Sequence, residues 1–137
     1  MDYLTNSKVF LYVGHGGGEQ YVRNCTLERC DKLPPVFLMG CSSAATKLNG
    51  NLNPNCVAES YMYGNSVMVL GNLWDVTDKD IDKFSIEMLE KCNLFDAKPN
   101  TVITGVPQAV ADSRTVCHLK YLNGAAPVVY GLPVVFI

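Results

Sequence analysis

The sequence predicts an α/β domain with a mostly parallel sheet, and three features point there. Val9–Val13, Pro35–Met39 and Val67–Leu70 are short apolar runs without polar alternation, as expected of strands covered on both faces. Lys79–Cys92 is long, charged and periodically apolar, which suits a helix between strands. The first two runs each end in a glycine followed by a side chain capable of chemistry, His15 and Cys41. In parallel sheets, sites gather at the C-terminal ends of strands.

The chain has 137 residues, 48% of them hydrophobic and 18% charged, a balance that can support one packed core. The formal net charge of −2 gives no electrostatic reason for direct binding to nucleic acid or to an anionic membrane. No apolar stretch is long enough to span a bilayer, and no basic segment followed by an apolar run marks a secretory signal after Met1. Six cysteines contain no C-x-x-C pair, and there are only two histidines, so the sequence argues against a zinc site and for reduced thiols. Asn24-Cys25-Thr26 fits a glycosylation triplet, which has no meaning in a cytosolic protein.

In order along the chain, residues 1–7 are polar and expected to fray. Val9–Val13 is the first strand and Gly14–Gly18 a glycine-rich turn. Glu19–Lys32 has room for a short helix, which Pro34-Pro35 terminates before the second strand, Val36–Met39. Ser42–Leu48 is expected to form helical turns, and asparagine-rich Asn49–Asn55 a loop. Cys56–Tyr63 reads as a helix closed by Gly64-Asn65, and Val67–Leu70 as a third strand running irregularly to Trp74. Thr77 or Asp78 is a natural N-cap for Lys79–Cys92, with Ile81, Phe84, Ile86, Met88 and Leu89 on its apolar side. Asn93–Asn100 is a loop, and Thr101–Val116 a helix weakened near its start by Pro107, with Leu119–Leu122 as an extension. Val128–Tyr130 and Val134–Ile137, separated by Gly131 and Pro133, suit a bent edge strand.

A nucleophilic thiol needs exposure, stabilised thiolate and a group to manage its proton. Cys41 lies between small residues at a strand tip, where backbone N–H groups could favour thiolate and bind an oxyanion. The same position also suits a small core thiol. His15, among glycines, suits either a turn histidine or the partner base. Asp75, Asp78, Asp80 and Asp82 crowd the third strand's end and the following helix start. Capping accounts for some of them, whereas a carboxylate at the sheet edge would also select a guanidinium.

Four ordered motifs resemble those of separase, with a flavour similar to yeast-type members. They are Tyr12-Val13-Gly14-His15-Gly16-Gly17-Gly18-Glu19-Gln20-Tyr21, Met39-Gly40-Cys41-Ser42-Ser43-Ala44, Gly71 through Asp82, and Tyr121-Leu122-Asn123-Gly124-Ala125-Ala126-Pro127 through Pro133. The resemblance implies a caspase-like three-layer α-β-α sandwich, truncated on its N-terminal side, with residues 1–137 as the C-terminal part of a separase protease domain. It implies a cysteine endopeptidase that cleaves the kleisin subunit of cohesin after arginine and is restrained by securin. Cys41 would be the nucleophile, His15 the catalytic histidine, and the Gly16 and Cys41 N–H groups the oxyanion hole. Asp78, with Asp75 as second choice, would form the arginine pocket. No cofactor or metal is implied. The missing N-terminal region of the same protein is an expected partner, without which an exposed sheet edge and weak activity follow. The resemblance also implies work in cytoplasm and nucleus, on mitotic chromosomes and spindle.

Two other readings compete. His15-Gly16-Gly17-Gly18 and Gly40-Cys41-Ser42-Ser43-Ala44 loosely resemble esterase motifs, with Ser42, Asp75 and His118 as a serine triad. The glycine motif lies too near the nucleophile turn for that fold. A non-catalytic caspase-like interaction domain is the other reading, although both catalytic residue types are present.

Overall fold

The computed structural model describes residues 2–95 and 102–137. Four strands form the main sheet: β1 (Phe10–Tyr12), β2 (Val36–Leu38), β5 (Met68–Asn72) and β6 (Pro127–Gly131), ordered β1-β2-β5-β6. The first three are mutually parallel and β6 is antiparallel at the edge. Phe10 pairs with Val36 and Tyr12 with Leu38, so the two strands that precede His15 and Cys41 are neighbours ending level with each other.

Side-chain alternation on the central strands builds two cores. Phe37, Met68 and Leu70 point to one face, where they meet α4 (Asp78–Lys91) and α5 (Val106–Ser113). Val36, Leu38 and Val69 point to the other, where Leu27 of α2 (Asn24–Leu27) and Val57, Ala58 and Tyr61 of α3 (Val57–Tyr63) cover them. The result is helices, sheet, helices. Every residue of β2 and β5 is buried, which is why both read as unbroken apolar runs.

α4 begins at Asp78 after Thr77 and buries Asp80, Ile81, Phe84 and Met88. Ile86 falls outside that stripe and is exposed. α5 starts at Val106, later than expected, because Pro107 lacks an N–H and is accommodated in a first turn rather than inside a helix. It ends in a 3₁₀ turn, Arg114–Val116. The Leu119–Leu122 segment does not extend this helix: Leu122, Asn123 and Gly124 all turn back to the Leu119 carbonyl.

Other differences are local. Ser42–Leu48 is not helical. Its end forms β3 (Lys47–Asn49), which pairs with β4 (Leu52–Asn55) in an exposed hairpin turning at Gly50, φ +61°. The Asn-Gly pair is a hairpin signal as well as a loop signal. Val134–Ile137 forms no strand, and Asp2–Thr5 makes one helical turn, α1. The expected Asn93–Asn100 loop falls partly outside the described residues, as does Thr101.

Candidate active site

The loops after β1 and β2 meet at Gly40. A Cβ placed there would lie 2.1 Å from the Gly16 carbonyl oxygen and 2.6 Å from that of Gly14, so only glycine permits this approach. Gly16 itself is left-handed, φ +63°. The His15 turn is held by its own neighbours. Tyr12 Oη donates to the His15 carbonyl (2.9 Å), and Gly17 N–H donates to Glu19 Oε2 (2.9 Å). Glu19 also pairs with Lys47 at 3.0 Å. Burial pushes its carboxyl upward, yet hydrogen bonds from its own backbone, Lys47 and Gly17 bring it below the ordinary value.

His15, Cys41, Asp78 and Asp82 line one cleft of about 260 Å³, walled by Val13, Met39 and Ile81. His15 is exposed and Cys41 half-buried. The Cys41 thiol donates to the Val76 carbonyl, 3.1 Å away. The expected pair of strand tips therefore shares one cavity, and Asp78 faces the same space. Asp82, one helical turn beyond Asp78, is a second carboxylate in the cleft. It carries the same periodicity signal from α4 as Asp78. Asp75 does not line this cleft; its Oδ1 accepts from Ser42 Oγ at 2.5 Å.

Asp80 performs a different task. Its carboxylate accepts from Leu119 N (3.0 Å), from Asn123 Nδ2 (2.8 Å) and from His118 N (2.8 Å). Those bonds hold its pKa down at about 2, against an ordinary value of 3.8. His118 lines a separate hollow with Lys79 and Lys83, not the cleft of Cys41. The serine triad is therefore not assembled: Ser42 and Asp75 touch directly, with no imidazole between them.

A second, more apolar hollow adjoins the cleft, lined by Ser85, Ile86, Leu89 and Phe95, and sharing Val13 and Asp82. It contains neither a cysteine nor a histidine. Among the described residues, no group of three or more His, Cys, Asp or Glu side chains is arranged to hold a metal, and all six cysteines are free. Burial pushes the Cys92 thiol up to about 11 and that of Cys117 upward, so both are core thiols.

The family described as the separin protease domain matches residues 1–81. This chain belongs to that family. It is 57% identical over 138 residues to the separin of Saccharomyces cerevisiae, covering 98% of this chain and 8% of that protein. It is 47% identical over 131 residues to the separin of Schizosaccharomyces pombe, covering 95% of this chain and 7% of that one. For the Mus musculus separin the identity is 38% over 133 residues, covering 96% of this chain and 6% of the relative. A crystal structure of the S. cerevisiae separase–securin complex matches with a TM-score of 0.90 and 56% identity, over 98% of this chain and 9% of that chain. The chain thus spans less than a tenth of the relatives it matches. The separin likeness agrees with the three-layer α-β-α architecture expected from the four motifs.

Proposed function

We propose that this chain carries the catalytic cysteine and histidine of a separase-type endopeptidase that cuts after arginine. The observation that supports this most is the shared cleft, lined by His15 and Cys41 from the strand-tip loops and by Asp78 and Asp82 from α4. In this reading His15 takes the Cys41 proton, and the sulfur attacks the scissile carbonyl to form a C–S bond. The Gly16 and Cys41 N–H groups hold the oxyanion. Collapse breaks the C–N bond as His15 returns the proton to the leaving amine. Water then hydrolyses the thioester, and no metal or cofactor takes part. Substrate entry has to displace the Cys41 hydrogen bond to the Val76 carbonyl before the thiol can react.

Asp78, joined by Asp82, would receive the guanidinium, with bidentate geometry favouring arginine over lysine. In this proposal the substrate is the kleisin subunit of cohesin, the inhibitor is securin, and the place of action is the cytoplasm and nucleus at mitosis. An acyloxymethyl ketone peptide ending in arginine tests the core of this. Covalent labelling of Cys41, mapped by mass spectrometry, is expected in the full chain and should be lost in His15→Ala. Labelling of Ser42 instead, or equal labelling by a peptide ending in aspartate, would refute the assignment.

A further inference from the structure

The turn that presents Cys41 is tied to the chain leaving β5. Asn72 Nδ2 donates to the Gly40 carbonyl (3.0 Å), Ser42 N–H to the Trp74 carbonyl (3.1 Å) and Ala44 N–H to the Asn72 carbonyl (2.9 Å). Ser43 Oγ accepts from Asn72 N–H (2.9 Å) and donates to the Leu38 carbonyl (2.8 Å). Within this lacing, one residue has an unfavourable backbone. Ser42 has φ +51°, the left-handed region that a side chain with Cβ rarely occupies. Its hydroxyl donates to Asp75 Oδ1 at 2.5 Å, at the exposed edge of the turn.

We propose that Asp75 is a positioning residue for the nucleophile. It holds Ser42 in the left-handed conformation, and through Ser42 it sets the direction of the Cys41 N–H and thiol. The inference rests on the reading of Cys41 as nucleophile. It gives Asp75 a role distinct from an arginine pocket, in keeping with its position outside the cleft. A turn that must hold a thiol and an oxyanion donor in register loses rate steeply when it shifts. A polar side chain anchoring the next residue is an economical restraint, because the backbone of Ser42 cannot rest in this conformation without strain.

The test combines two readouts in the full chain: alkylation of Cys41 by iodoacetamide, and steady-state cleavage of an arginyl peptide. Asp75→Ala is expected to slow alkylation and to lower kcat by about tenfold at unchanged KM, a loss typical of a displaced reacting group. Ser42→Ala should match it, and the double alanine variant should be no worse than either. Asp75→Asn keeps an acceptor oxygen and should retain most of the activity. The deciding variant is Ser42→Gly. Glycine adopts left-handed backbone without strain, so Ser42→Gly with Asp75→Ala should recover to within about threefold of the parent. A raised KM with unchanged kcat and alkylation would make Asp75 a substrate contact and overturn the proposal. Faster alkylation, or no recovery with glycine, would overturn it too. If the parent cleaves no peptide, the protease reading fails, and the alkylation series alone still decides whether Asp75 positions Cys41.

Discussion

Asp78 and Asp80 sit two residues apart in the first turn of α4, and their surroundings differ completely. Two helical steps rotate a side chain by about 200°. Asp78 faces the cleft of His15 and Cys41 and is exposed. Asp80 is 2% exposed, turned under the 117–123 loop, with three N–H donors on its carboxylate. The sequence shows four aspartates in one crowded stretch; the structure divides them by helix face. One face holds the molecule together, and the other opens on the cleft. Aspartates here are thus told apart by their phase on the helix, not by their nearness to a motif.

This division can be broken experimentally, beginning with the buried face. Phe84 is fully buried on it, so Phe84→Ala should cost about 3–5 kcal/mol, measured by denaturant unfolding. Asp80→Ala should come next, because it leaves the His118 and Leu119 N–H groups and the Asn123 amide without their common acceptor. Its effect carries a pH signature. A carboxyl whose pKa is about 2 in the fold and near 3.8 when unfolded contributes stability in full above about pH 4. That stability is lost as pH falls from about 4 towards 2. Asp80→Asn should therefore flatten the acid limb of a stability–pH curve. An acid limb left unchanged by Asp80→Asn would contradict the division.

The solvent side should respond weakly. Glu87→Ala removes the half-exposed Lys91–Glu87 pair (2.9 Å), one turn apart, and should change stability by only about 0.3–0.5 kcal/mol. A larger loss would show that this face of α4 carries more of the fold than its exposure suggests.

How much was legible in the sequence follows the same physics. Val36–Leu38 and Met68–Asn72 are buried on both faces, so their apolar runs were readable directly. The meeting of the His15 and Cys41 loops was readable as a possibility from two glycine-ended strands. Its reason, the contact of Gly40 with the Gly14 and Gly16 carbonyls, is visible only in three dimensions. Asp80's anchoring role depends on a loop almost forty residues away in the chain, which no local pattern announces. The β3–β4 hairpin was missed because its strands are wholly exposed and carry no hydrophobic alternation. Asp82 is visible in the sequence as one of four crowded aspartates, and its place one turn from Asp78 on the same face marks it as the second cleft carboxylate.

The most direct test of this account compares kcat/KM for matched peptides ending in arginine and in citrulline, its uncharged isostere. It should be made on the parent, Asp78→Asn and Asp80→Asn, at a temperature where all three are folded. The parent should prefer arginine, Asp78→Asn should lose about tenfold or more of that preference, near 1.4 kcal/mol, and Asp80→Asn should keep it. A preference untouched by Asp78→Asn, or one abolished by Asp80→Asn in a folded protein, would contradict the account.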